Sequence, residues 1–471
     1  MSFLTFCRRL FRRRSPPSVP GLREIFQGFK QVLAANSEAL ALMGDLEESL
    51  SGRAGFHLRG LKALLSSLDQ QMGLLVEAID RMSGGRWPEI HQVWQRLKEG
   101  VQERLSRSLE FPDTPLVLAL TGEEPARWAA MGGKAANLAR LAGELHLPVP
   151  AGFATTFSAY RLFLTSGAAG AHSLAECVAE KLAGLAELEA EALAPVAQEL
   201  RTLVLSQPLP EELSQALLDA ARSLAAEPQE TLVVRSSGRR EDLAASFAGQ
   251  YDSFLGVLPE EVPKRWRQVV ASQFSHRALV YFKTHGFSLE EMAMGVIIQR
   301  LIPAAAAGLM FTRDPEGDPD TCLISATWGL GSDLADGRVQ GDLYRVDRSS
   351  GAVREARLAH KGQRLAPAEG GLRRLPVPPA EAEAPALSPE HCRELAELAG
   401  ILEDYFGVPQ DVEWARDDAG RLWVVQSRPL PPASGAAARP PQLTPEEAAS
   451  LVLSAGDVAA PGVAAGPVYH L

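Results

Sequence analysis

Residues 231–257, TLVVRSSGRREDLAASFAGQYDSFLGV, place an apolar strand, a basic turn and a small-residue loop in immediate succession. Leu232, Val233 and Val234 read as an interior strand, and Arg235, Ser236, Ser237 and Gly238 follow where such a strand ends. A guanidinium is a rigid, permanently charged fork that matches phosphate oxygens, hydroxyls add donors, and glycine lets the backbone approach an anion. Ser246 to Gln250, SFAGQ, form a second small-residue turn. That order suits phosphate binding, although taken alone it also describes an exposed hairpin tipped with arginines.

The chain has 471 residues, 46% hydrophobic and 22% charged, with a net charge of -11. These values describe a globular protein of two to four domains. An acidic balance argues against nucleic acid as the main partner, since phosphate-backbone binding needs a basic face. Cys7, Cys177, Cys322 and Cys392 are far apart and form no CxxC pair, so the sequence points to neither a disulfide framework nor a zinc site, and a reducing cytoplasm is the expected compartment. Residues 1–20 read as a basic tail, and no run of about eighteen apolar residues predicts stable membrane insertion.

Outward from the opening stretch, residues 21–110 carry helical periodicity, with Leu22, Ile25, Phe26 and Phe29 on one face and stop signals at SGGRWP, 83–88. They predict an all-α helical domain. After an apolar strand at 116–120, Gly132 and Gly133 open a helix with Lys134 in its first turn. Free backbone N–H groups, the positive end of the helix dipole and a mobile ammonium make this a second candidate anion site. Residues 171–227 predict helical scaffold. Residues 294–311 predict two strands joined by a turn, and the segment Gln299-Arg300-Leu301-Ile302 offers backbone donors and acceptors beside apolar side chains, which an adenine ring requires. Alanine, proline and glycine dominate 356–387, which predicts an irregular excursion, and a helix is expected over 389–406.

Residues 405–430, YFGVPQDVEWARDDAGRLWVVQSRPL, predict a hairpin turning at DDAG. Asp411 and Glu413 share a strand face, and the returning strand can bring Gln426 and Arg428 beside them. Two carboxylates and an amide suit a magnesium ion carrying phosphates, although a hairpin with charged outer positions is an equally good reading of these residues by themselves.

Six motifs in order, GGKAANLARL, LPVPAGF, VVRSSGRREDLAASFAGQ, VIIQRLIPAAAAGLMFTRDP, ATWGLGSDLADGRV and FGVPQDVEWARDDAGRLWVVQSRPL, resemble the nucleotide-binding half of phosphoenolpyruvate synthase and pyruvate phosphate dikinase, shared by rifampicin phosphotransferase. The resemblance implies an α+β fold, an ATP-grasp pair of subdomains over 115–430 with ATP between them. It further implies that Lys134 and Arg235 contact the ATP phosphates under a loop carrying Gly249, and that Gln299, Arg300, Leu301 and Ile302 form the adenine hinge. Asp411, Glu413 and Gln426 would handle ribose hydroxyls and Mg2+, with Glu413 and Gln426 as the metal pair and Arg428 nearby on the phosphates. Lys134, Arg235 and Arg428 are thus the implied catalytic residues.

Enzymes of that family divide ATP into AMP and two phosphates through a phosphorylated histidine on a swivelling domain, which then passes the phosphoryl group to an acceptor such as pyruvate. Residues 431–444 read as a Pro/Ala-rich linker, and 445–471 resemble the opening of that swivelling domain. No histidine here stands in the family's Thr-Ser-His-Ala context. The expected function is therefore an ATP-dependent phosphotransferase component whose carrier histidine belongs to another chain or to a further domain. A noncatalytic nucleotide-sensing or scaffold module, its helical region docking a partner, is the alternative. An ATP-grasp ligase fits the broad fold but not these motifs.

Overall fold

A computed structural model describes residues 21–50, 58–109, 113–122, 124–167, 173–183, 193–227, 229–239, 251–285, 292–315, 317–368 and 371–430. The chain divides into two compact units: Met1–Arg140 with Ala151–Leu301, and Leu141–Pro150 with Ile302–Leu471.

The first unit begins with three helices, α1 (Leu22–Leu50), α2 (Leu58–Ser83) and α3 (Glu89–Leu109). Small residues let α1 lie close to α2: Ala35, Ala39 and Ala78 are buried, and a Cβ on Gly28 would stand 2.4 Å from the Met82 side chain. Gly84 and Gly85, both with positive φ, end α2 at the expected stop. Trp94 and Lys98 of α3 then reach back to the Asp69 carboxylate of α2, at 3.1 and 2.7 Å.

The rest of this unit comprises β1 (Val117–Ala119), α4 (Pro125–Trp128), α5 (Gly133–Gly143, whose last turn crosses into the second unit), β2 (Gly152–Thr155), α6 (Phe157–Thr165), α7 (Leu174–Ala183), α8 (Leu193–Ser206), α9 (Glu211–Leu224), β3 (Leu232–Gly238), β4 (Phe254–Val257), α10 (Val262–Ser272), α11 (His276–His285) and β5 (Met294–Arg300). Its strands form one antiparallel sheet in the order β1-β2-β5-β3-β4. Leu232 and Val234 on β3 turn inward to a core with Phe163, Leu200, Leu213 and Trp266, and the Phe163 and Trp266 rings meet edge to face at 5.4 Å. The Trp266 indole does not waste its donor there, since Nε1 donates to Thr155 Oγ1 at 2.9 Å.

In the second unit β6 (Ala304–Phe311), β7 (Thr321–Trp328), α12 (Ser332–Ala335), β8 (Asp342–Asp347), β9 (Val353–Arg357), β10 (Gln363–Ala368), β11 (Gly371–Pro376), α13 (Pro379–Ala382), α14 (Pro389–Phe406), β12 (Gln410–Asp417) and β13 (Leu422–Pro429) follow in order. Six strands form an antiparallel sheet, β13-β12-β6-β7-β8-β9. Leu395, Ala399 and Leu402 of α14 share a core with Ile324, Tyr344, Val412 and Trp414 of that sheet. The helix occupies its expected residues for local reasons. Ser388 and His391 form a reciprocal cap at one end with Pro389 in the first turn, and Gly407 takes the left-handed conformation at the other.

Residues 294–311 form the two expected strands, yet these do not pair with each other: β5 pairs with β2 and β3 of the first sheet while β6 pairs with β12 and β7 of the second. The chain leaves one unit for the other between Leu301 and Ile302. One expectation is corrected. Residues 356–387 are not irregular: β10 and β11 form an antiparallel hairpin with Gln363 opposite Pro376 and Ala368 opposite Gly371. What orders this segment is remote in sequence. Lys361 and Asp342 make a fully buried ion pair at 2.5 Å, and Asp342 also accepts from the Ala359 and Ala386 amides and the Tyr344 hydroxyl. Gly329, at φ 72°, bridges to Leu365 so closely that a Cβ would lie 2.3 Å from the Leu365 carbonyl oxygen.

Candidate nucleotide site

The first unit brings together the glycine turn and the basic end of β3. Gly132 has φ 85°, and a Cβ on it would lie 1.9 Å from the Ser237 carbonyl oxygen, so only glycine fits. Ser237 Oγ, buried, accepts the Ala135 amide at 3.0 Å and anchors the first turn of α5 to the strand end. Lys134 is the neighbour of that anchored residue. Arg235, two residues before Ser237, shares its sheet face, since strand side chains alternate and Val234, just before Arg235, points to the core. Lys134 and Arg235 are both half-buried. Ser237 is the residue that sequence reasoning passed over as a mere donor, and only the contact with Ala135, 102 positions away, reveals its positioning role. Gly249 lies outside the described residues.

Gln299 and Arg300 end β5, Leu301 is the last residue of the first unit, and with Ile302 the chain passes into the second. The amides of Arg300 and Leu301 donate to Ala151 and Thr231 carbonyls at 2.9 and 3.1 Å, so those two hydrogens are engaged inside the fold. The Arg300 guanidinium is likewise turned to the scaffold, with Nε 2.8 Å from the Leu224 carbonyl oxygen and 3.4 Å from the Glu230 carboxylate.

The second unit sets Asp411 opposite Arg428 and Glu413 opposite Gln426. Reaching that arrangement requires a bulge. Trp414 pairs with Val424 while Glu413 pairs with Gln426, which leaves Val425 as an extra residue. Leu422 and Val424 face the core, and without the extra residue Gln426 and Arg428 would face it too. The bulge reverses the alternation and delivers both polar side chains to the face of Asp411 and Glu413.

On that face Arg428 donates to Asp411 Oδ2 from Nε at 2.9 Å and Nη2 at 2.6 Å. Burial still pushes the Asp411 carboxyl above its usual range, and Glu413 pushes the same way, against the pull of Arg428. Among the described residues no group of three or more His, Cys, Asp or Glu side chains is placed to hold a metal. Mg2+ does not demand such a cage, because it binds through one or two protein oxygens together with phosphates and water. Glu413 and Gln426 fit that requirement.

Residues 128–447, more than half of the chain, match the family of the pyruvate phosphate dikinase AMP/ATP-binding domain. The chain belongs to that family. Its architecture is α+β, with two sheet-bearing units preceded by helices. A probable phosphoenolpyruvate synthase of Archaeoglobus fulgidus is 33% identical over 342 residues, covering 72% of this chain and 44% of that protein. A rifampicin phosphotransferase of a Streptomyces species is 35% identical over 319 residues, covering 67% and 36% respectively. The phosphoenolpyruvate synthase of Pyrococcus furiosus is 30% identical over 379 residues, covering 72% and 46%. The chain spans less than half the length of each of these dikinase-family relatives. Among the described residues no helix is long and apolar enough to cross a membrane.

Proposed function

We propose that this chain is the ATP-binding component of a phosphotransferase of the phosphoenolpyruvate synthase type, passing a phosphoryl group from ATP to a histidine on a separate carrier domain with formation of AMP. The observation that carries this reading is the bulged register that faces Glu413 and Gln426 together beside the Asp411–Arg428 pair. In this reading Glu413 and Gln426 hold Mg2+, whose charge offsets that of the phosphates. Asp411 accepts from a ribose hydroxyl and keeps Arg428 oriented toward the phosphates. Lys134 and Arg235 neutralise the phosphate oxygens, and the amides at the start of α5 add dipolar support. Phosphoryl transfer asks for positioning and charge neutralisation more than for covalent chemistry, and these residue types supply both. Because the Arg300 and Leu301 amides are engaged, adenine would be read through carbonyls of the 299–302 segment, with the exocyclic amine as donor and Leu301 and Ile302 as apolar walls.

The test is incubation with Mg2+ and ATP labelled at the β or γ position, with and without a family carrier domain, following AMP and labelled protein. Label on the carrier together with AMP is the expected result. ATP bound but unconsumed, while the same carrier is labelled by an authentic synthase, would overturn transfer and assign a nucleotide-sensing role.

A further inference from the structure

Helix α1 carries two heptad seams. One, Ile25, Gly28, Val32, Ala35, Ala39, Leu42 and Leu46, is turned to α2 and buried or half-buried. The other runs Leu22, Phe26, Phe29, Leu33, Asn36, Leu40 and Met43, at alternating spacings of four and three, and it is open: Phe26 is 57% exposed, Leu33 52% and Leu40 59%. Spacing of this kind, sustained over a helix of about 44 Å, is what a two-stranded coiled coil demands, and a single polar residue in such a seam sets its register. The helix is also electrically asymmetric. Arg23, Glu24 and Lys30 leave 22–33 at +1, whereas Glu38, Asp45, Glu47 and Glu48 put 34–50 at -4.

We infer that this open seam is the interface of a homodimer in which α1 of two copies packs as an antiparallel coiled coil. A parallel pair would set the two acidic halves side by side. The antiparallel one sets each acidic half, and the negative end of its helix dipole, against the basic end of the other. Its layers place Phe26 on Met43, Phe29 on Leu40 and Leu33 on Asn36, each made twice about the two-fold axis. The two Asn36 layers flank that axis, where one amide can meet the other. The Lys30 ammonium, 4.8 Å from the centre of the Phe26 ring, shields the edge of the seam.

Sedimentation equilibrium of the full chain at tens of micromolar tests the inference. Twice the 50.6 kDa chain mass is expected for the parent, and the single-chain mass for Phe29→Glu/Leu33→Glu, with helicity and ATP binding retained. Asn36→Leu is expected to lower the dissociation constant at least tenfold. Mixing Phe26→Cys with Met43→Cys chains under oxidation should give a disulfide-linked pair in greater yield than either variant alone, which reports the antiparallel sense without depending on the glutamate variant. A monomeric parent, a dimer that survives the double substitution, or a seam that instead binds anionic vesicles as a monomer would each overturn it.

Discussion

Arg428 donates through both Nε and Nη2 to a single oxygen of Asp411, across the β12–β13 pair. The carboxylate is almost fully buried and the guanidinium about three-quarters so, which makes the pair costly to break from one side.

Arg428→Met is therefore expected to destabilise the chain by about 3 kcal/mol at neutral pH, by leaving a buried carboxylate without its counter-charge. The loss depends on pH. Because the folded-state value of Asp411 already lies above 3.8, the stability associated with its protonated form is fully present below 3.8 and is lost as pH rises through the folded value. Removing the arginine raises that value further, so the gap between variant and parent should be small near about pH 4 and grow toward about pH 7. Urea unfolding across this range checks it, and a gap that does not change with pH would refute the role given to the carboxylate.

Lys134→Ala and Arg235→Ala should each weaken Mg-ATP binding by about 10- to 100-fold, the range expected for loss of a charge-assisted contact to phosphate. Titration calorimetry provides the measurement. Unchanged affinity in both variants would remove the phosphate assignment.

Two glycines should respond in opposite directions. Gly132→Ala forces a Cβ into the Ser237 carbonyl at a positive φ and is expected to cost about 3 kcal/mol. Gly400→Ala, within α14, meets nothing within 4 Å and should stabilise by up to about 1 kcal/mol through helix propensity. Chemical denaturation of the two variants side by side distinguishes close backbone approach from a general intolerance of alanine.

Lys361→Met should destabilise by about 3 to 5 kcal/mol, since it strands Asp342 in a dry interior. The double variant Lys361→Met/Asp342→Leu should recover much of the lysine loss, although the Ala359 and Ala386 amides then lose their acceptor. Hydrogen exchange in β10 and β11 should rise in the single variant; protection equal to the parent would show that the pair does not order the hairpin.

Residues close in sequence were sufficient to determine much of this protein. The pairing of Asp411 and Glu413 on one face, the Gly132-Gly133-Lys134 opening of α5 and the bounds of α14 all follow from strand alternation, backbone freedom and capping, which act over a few residues. Tertiary structure decided the rest. The extra residue at Val425 sends Gln426 and Arg428 away from the core, a change of parity that depends on the partner strand. β5 and β6, close neighbours in the chain, join different sheets because β5 pairs with β2 and β3, both well over 50 positions before it, while β6 pairs with β12, about 100 positions after it, and with β7. The 356–387 segment, too poor in periodic pattern to announce its strands, takes its order from an aspartate on β8 and a glycine after β7. Propensity and period are properties of neighbouring residues, whereas register, sheet membership and ion pairing are set by contacts that exist only once distant segments have met.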